Sequence, residues 1–227
     1  MRIPRTLRRV LIAGAAASLL GGALWWCYAW YFPGLAGPAT ASGVDSASRP
    51  ARAAAQQRLD ETVAALPGGA RTLGDAAADR CLRDAPFEGA GPGLLQCQWE
   101  LSRYLVVDGA AAGTIGENWS GALTGVRWKD LMADAPPGVR GPEGRQDFDG
   151  PRSHERLVVT VIRSRAELDA VPDLEGHEGV QEYLREQHAF AGREAAAQAL
   201  AEGRAVVRIF LTRAYHREGG GDPVPVD

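Results

Sequence analysis

The hydrophobic pattern begins with an unbroken apolar run from Val10 to Phe32. As a helix, these 23 residues would extend about 34 Å, more than the ~30 Å hydrocarbon thickness of a bilayer. We therefore expect a transmembrane anchor over residues 10–32, preceded by a basic tail at residues 1–9. The arginines of that tail predict a cytoplasmic N-terminus and an extracytoplasmic C-terminal part, since positively charged flanks stay inside the cell.

Residues 33–50 change to Pro, Gly, Ala and Ser, a composition typical of a flexible linker. A coil of this length would hold the following domain within roughly 20 to 25 Å of the bilayer. The segment from Ala39 to Ala41 has the small-x-small form of a signal peptidase site, so cleavage after Ala41 is an alternative to a permanent anchor. The apolar run is longer than that of an ordinary signal peptide, which favours the anchor.

Beyond the linker, periodicity predicts a mixture of helices and strands. Apolar spacing indicates helices over residues 49–66, 73–83, 118–133 and 179–202, and strands over 95–107, 157–162 and 205–216. Ser164 and Glu167 have the spacing of a capping box that opens a short helix. Residues 135–153 read as loop, and residues 218–227 as a disordered tail. This order predicts an α+β domain over residues 51–217, with a small antiparallel or mixed sheet packed against helices on one face.

Gly14, Ser18 and Gly22 recur at every fourth position of the apolar run. Such a face of small residues lets two membrane helices pack closely, which predicts association with another membrane protein or with a second copy. A chain rich in Ala and Gly also produces this spacing by chance.

Charge narrows the classes of ligand. Four of the 25 basic residues and none of the 28 acidic residues precede Pro33, so the remainder of the chain has a net charge of −7. This balance argues against nucleic acid or anionic lipid as the ligand, because both require a positive field. Lys129 is the single lysine, which indicates the codon bias of a GC-rich bacterial genome and leaves no lysine for a Walker A motif.

Two of the three cysteines lie beyond the apolar run that contains Cys27. In an oxidising compartment, Cys81 and Cys97 would form a disulfide that closes a loop of about 17 residues and contributes on the order of 3 kcal/mol. Two unrelated buried thiols are the alternative.

A candidate for a metal or ligand site lies at the start of the predicted helix over residues 179–202. Glu178 and Glu182 are one turn apart, and His177 could add a third ligand. The stretch is not an HExxH motif, because Gln181 stands where the second histidine belongs. An exposed acidic helix surface explains the same residues, and we predict no cofactor.

Trp119 and Trp128 are candidates for a binding surface, since Arg127 and Lys129 flank the second tryptophan. An aromatic and basic patch of this kind would bind a glycan or a peptide, although tryptophans more often belong to the core. For a hydrolase, Asp147, Asp149 and His154 are the loop residues of interest.

These patterns favour a non-enzymatic function. We expect a membrane-anchored module that binds or scaffolds a component of the bacterial cell envelope, with the bilayer and that component as its partners. A cell-envelope hydrolase and an accessory subunit that pairs through its span are the alternatives, and we assign no catalytic residue.

Overall fold

A computed structural model describes residues 43–67, 69–84, 93–108, 115–131, 144–152, 154–174, 180–219 and 222. The helices of this part of the chain are α1 (Val44–Ala64), α2 (Ile115–Gly125), α3 (Arg165–Ala170) and α4 (Arg193–Ala201). The strands are β1 (Arg71–Asp84), β2 (Leu95–Val107), β3 (Lys129–Asp130), β4 (Arg145–Asp149), β5 (Glu155–Ile162), β6 (Val180–His188) and β7 (Ala205–Arg217). The predicted α+β class is confirmed.

The strands form one antiparallel sheet in the order β3-β4-β5-β7-β2-β1-β6. The two longest ladders join β2 to β1 and to β7, so β2 and β7 lie at the centre of the sheet. β6 pairs with β1 at one end of this order. Among the described strands every pairing is antiparallel, which settles the alternative of a mixed sheet.

Helices cover both faces of the sheet, whereas the sequence predicted helices on one face. On the first face, here called the α1 face, Leu59 of α1 and Leu123 of α2 pack with Leu101, Leu105 and other inward side chains. On the opposite face, the α4 face, Leu168 of α3 and Ala199 of α4 pack with Val106 and Val206. The difference arises because alternate residues of β2, β5 and β7 are apolar in both directions, so each face needs a cover.

Helix α1 begins earlier than the periodicity predicted. Residues 44–50, assigned to the linker from their composition, form its first two turns, with Pro50 inside the helix. Pro50 removes one helical hydrogen bond, but Val44 and Ser48 on the preceding turns are buried against the sheet. The buried stripe of the helix is Val44, Ser48, Ala51, Ala55, Leu59 and Thr62.

One predicted helix is wrong, and another is wrong in its first half. Residues 73–83 lie within β1, where small alanines such as Ala76 and Ala77 pack on opposite faces of the sheet. The first half of the helix predicted over 179–202 is the strand β6, and only its second half is helical, as α4. In both segments pairing with neighbouring strands outweighs the weak intrinsic preference for helix.

The remaining predictions differ at their boundaries. The strands at 95–107, 157–162 and 205–216 are confirmed as β2, β5 and β7, while the predicted loop 135–153 contains β4. The helix predicted over 118–133 ends at Gly125 and is followed by β3. The capping box is confirmed in part, since Ser164 Oγ accepts a hydrogen bond from the Glu167 backbone N–H at 3.2 Å.

No helix formed by the described residues combines the length and the apolarity that a bilayer crossing requires. The predicted span, with Gly14, Ser18 and Gly22, lies outside these residues.

Candidate functional site

The predicted disulfide between Cys81 and Cys97 is confirmed. The two residues face each other in the β1–β2 ladder, with Cα atoms 3.9 Å apart, and both are fully buried. Because Cys81 lies in a strand, the bridge joins two neighbouring strands and does not tie a helix to the sheet. Val44 of α1 and Leu95 belong to the same buried cluster as the two cysteines.

A buried carboxylate, Asp79, attaches the N-terminal half of α1 to the sheet. It accepts hydrogen bonds from Ser48 Oγ at 2.6 Å, from Tyr215 Oη at 2.7 Å and from Arg185 Nε at 3.1 Å. The Trp99 indole N–H donates to the Ser48 carbonyl at 2.9 Å. Burial and the hydrogen bond from Tyr215 Oη to Asp79 raise the pKa of Tyr215 above its usual range. A small cleft of about 360 Å³ lies beside the cluster, but the polar groups of Asp79 are engaged within the fold.

On the α4 face, Asp173 binds a second buried polar side chain, that of Arg208. Its backbone carbonyl accepts from Ser102 Oγ at 3.0 Å and from Arg208 at 3.1 Å, and its carboxylate pairs with Arg193 at 2.7 Å. The same carboxylate accepts from Tyr104 Oη, and burial raises the pKa of Tyr104 to about 12. These contacts fasten the segment after α3 onto the sheet.

A cavity of about 910 Å³ lies on the α1 face, lined by described residues. We call it the arginine cleft. Its walls are the C-terminal half of α1, the turn after α2 at residues 125–127, Pro151 and Arg152 after β4, Glu155 at the start of β5, and Arg213 of β7. Its charged lining residues are Arg58, Glu61, Arg127, Arg152, Glu155 and Arg213.

Glu155 is the buried anion of the arginine cleft, with only 2% of its side chain exposed. Its carboxylate pairs with Arg213, and Arg58 Nε lies 3.8 Å from its second oxygen. Arg58 also stacks over the Trp128 ring, 4.4 Å from the centroid, and donates to the Val126 carbonyl at 2.8 Å. Arg58 therefore joins three walls of the cleft and has little freedom to move.

Arg127 adopts a left-handed backbone conformation, with φ of 68°, and is the one described non-glycine residue with positive φ. Trp128 N donates to the Leu123 carbonyl and Arg127 N to the Thr124 carbonyl, both at 3.0 Å. This pair of bonds defines a Schellman motif that ends α2, with Arg127 at the position where glycine is preferred.

Two pKa shifts reflect the charges around the arginine cleft. Burial lowers the pKa of the Arg213 guanidinium; Glu155 opposes this shift, while the nearby Arg152 and Arg58 add to it. Burial also lowers the pKa of His154, and the positive charge of Arg213 makes the next-largest contribution in the same direction. The cations of this region thus repel one another.

Comparison with protein-family models, with curated proteins and with solved structures found no match to this chain.

The structure separates the sequence-predicted site residues. Trp119 and Trp128 are core residues, with 4% and 1% of their surface exposed, so they form no binding surface. The indole N–H of Trp128 donates to the buried Thr62 hydroxyl at 3.0 Å. Their neighbour Arg127, which the same reasoning noted as a flanking charge, does line the arginine cleft.

The one candidate metal ligand that the structure describes is not on a helix. Glu182 lies in β6 and pairs with Arg80 at 2.8 Å, while His177 and Glu178 lie outside the described residues. The helical spacing assumed for Glu182 is wrong, because a strand residue does not meet the residue four positions away as a helical residue does. Within the part of the chain that the structure describes, no three His, Cys, Asp or Glu side chains converge as metal ligands would.

The acids considered for a hydrolase lie on β4, outside the arginine cleft. Asp147 of β4 pairs with Arg145 at 3.2 Å and with Arg156 at 3.1 Å, and neither Asp147 nor Asp149 lines the arginine cleft. The sequence reasoning missed the cleft because its arginines are up to 155 residues apart, from Arg58 to Arg213. The one local signal was the charge beside Trp128.

Proposed function

We propose that this chain is a membrane-anchored, extracytoplasmic binding module of the bacterial cell envelope, and that the arginine cleft is its ligand site. The main support for the proposal is the size of the cleft. An open cavity of about 910 Å³ is of the size that small ligands or peptide side chains occupy. The anchor is the apolar run at residues 10–32, for which Gly14, Ser18 and Gly22 offer a packing surface toward another membrane protein or a second copy.

The buried disulfide supports an extracytoplasmic location. Structural disulfides persist in oxidising compartments and are rare where thiols are kept reduced. The pairing of Cys81 with Cys97 is therefore consistent with a domain that folds outside the cytoplasm.

The state of the cleft's carboxylates favours binding over hydrolysis. A general acid or base needs access to the substrate and freedom to exchange its proton. Glu155 is buried and held by Arg213 and Arg58, and Glu61 lies 3.7 Å from Arg58 Nη1. Glu155 is thus withheld from a substrate, and the half-exposed Glu61 is left as a single accessible acid of the cleft, whereas hydrolysis by paired carboxylates needs two.

Photo-crosslinking in intact cells tests this function. A photoreactive amino acid replaces Ala64, an exposed α1 residue that lines the cleft, in the full-length chain. The matched control places the same group at Ala53, which is also exposed on α1 but does not line the cleft. We expect an adduct with an envelope component from position 64 and none from position 53. Equal adducts at both positions, or none at position 64, would contradict the proposed site.

A further inference from the structure

The arginine cleft has a local surplus of positive charge. Its walls contain four guanidinium groups, those of Arg58, Arg127, Arg152 and Arg213, against the two carboxylates of its lining. The chain beyond the predicted anchor has the opposite balance, with a net charge of −7. The surplus is therefore a property of this site and not of the domain surface as a whole.

Two of the four arginines are not neutralised by the cleft. Glu155 is shared between Arg213 and Arg58, and Glu61 lies next to Arg58. Within the described ranges neither Arg127 nor Arg152 forms an ion pair. Their guanidinium groups are thus available to a ligand from outside.

The lowered pKa values of Arg213 and His154 also indicate an excess of positive charge around the cleft. Arg152 and Arg58 both contribute to lowering the pKa of Arg213, and the charges of Arg213 and Arg152 contribute to lowering that of His154. Glu155 and Asp222, the acids that face these two groups, oppose the shifts without cancelling them. A bound anion would relieve this repulsion, because an opposite charge favours the protonated form of each group.

The backbone of Arg127 gives an independent argument. The left-handed position at the end of a helix strongly favours glycine, and a residue with a Cβ is strained there. The chain nevertheless holds an arginine at this position, and the residue lines the arginine cleft. Strained positions of this kind cluster at functional sites, where the side chain makes a contact that glycine could not make.

We infer that the arginine cleft binds an anionic oxygen group, a carboxylate or a phosphate, through Arg127 and Arg152 beside Arg213. This inference rests on the proposed binding function and names the chemistry of its ligand. Guanidinium groups suit both anions, since they donate paired N–H groups to oxygen atoms. The ligand is a small anion or a molecule with a single anionic group, because the net charge of the domain repels a polyanion.

Isothermal titration of the full-length chain in a neutral detergent tests the inference. Inorganic phosphate and citrate are titrated separately at constant ionic strength, so that screening does not change during the experiment. We expect saturable binding of at least one of them, and the two arms distinguish phosphate from carboxylate recognition. The double variant R127Q/R152Q should weaken the affinity by about tenfold or more.

Arg165→Gln is the matched control. It removes one positive charge, half of the change in the double variant, from an exposed side chain of α3, which lies on the α4 face of the sheet, away from the cleft. We expect its affinity to equal that of the unmodified chain. An equal loss of affinity in this variant would overturn the inference, because the loss would then follow from net charge alone.

Arg127→Gly separates a ligand-binding role from a structural one. Glycine relieves the left-handed strain, so the variant should raise Tm by about 2 °C while weakening anion binding. If Arg127 served only the fold, its replacement by glycine would leave the affinity unchanged.

Absence of saturable binding, or unchanged affinity in R127Q/R152Q, would overturn the inference. The photo-adduct at position 64 does not depend on the charge of the ligand. An adduct without anion binding would therefore contradict the anionic ligand and leave the proposed function standing, whereas failure of the adduct would contradict the function itself.

Discussion

Glu155 links the stability of this protein to its candidate site. The residue is buried at the start of β5, and its two carboxylate oxygens face Arg213 and Arg58. Arg58 in turn stacks on Trp128 and reaches the turn after α2. A buried carboxylate of this kind contributes through its partners, since its loss leaves their charges uncompensated.

Replacement of Glu155 by Gln keeps the size of the side chain and removes its charge. We expect a loss of about 3 kcal/mol in the free energy of unfolding, because two largely buried guanidinium groups lose their counterion. Urea unfolding followed by tryptophan fluorescence measures the change.

The matched control is Glu61→Gln, which neutralises the other acid of the cleft. Half of the Glu61 side chain is exposed, so its ion pair with Arg58 contributes little, and we expect a change below about 1 kcal/mol. Similar losses in the two variants would show that burial of Glu155 has no special effect.

At the scale of elements, the central hairpin is the frame of the fold. β1 and β2 pair over almost their whole length, and β2 pairs equally far with β7. Helix α1 is attached to this frame by the Asp79 hydrogen bonds at one end and by its apolar stripe along its length. The disulfide lies under the first turn of α1, where Val44 packs on Cys81 and Cys97.

The double variant C81S/C97S tests the contribution of the bridge. The loop-closure estimate gives a loss of about 3 kcal/mol in the free energy of unfolding, because the unfolded chain regains conformational freedom. Thermal unfolding of the full-length protein, with and without reductant, measures it.

The control variant is Cys27→Ser, whose cysteine lies in the apolar run outside the described residues. We expect it to unfold like the unmodified chain, and we expect reductant to have no further effect on C81S/C97S. A destabilisation of the double variant that also appears in Cys27→Ser would contradict the assignment to the bridge.

At the scale of the whole molecule, the proposed anchor and the fold are close in sequence. Ten residues, 33–42, separate the end of the predicted span from the described part of the chain. A coil of this length extends about 16 to 19 Å on average, so the N-terminal end of α1 would lie near the bilayer. The arginine cleft lies along the C-terminal half of α1, a helix about 31 Å long, and is therefore distant from that end.

This topology predicts which positions an impermeant maleimide can label in intact spheroplasts. In a C27S background, Ala53→Cys on the exposed surface of α1 should react from outside. Thr6→Cys in the basic tail should react only after lysis. Labelling with the opposite pattern, or labelling of both positions only after lysis, would contradict the proposed orientation.

The sequence by itself determined the features that depend on local pattern. Alternation in β2 and β7, the apolar run of β5 and the stripe of α1 all identified their elements, because burial of one face leaves a periodic trace. The disulfide followed from counting, since two cysteines remained beyond the apolar run.

Only the tertiary structure decided the rest. β1 and β6 are strands because neighbouring strands satisfy their backbone groups, and alanine-rich or charged segments carry no local sign of such pairing. The arginine cleft joins Arg58, Arg127, Arg152 and Arg213 from four separate segments. Their convergence is a result of chain topology, and no spacing in the sequence encodes which distant charges will meet.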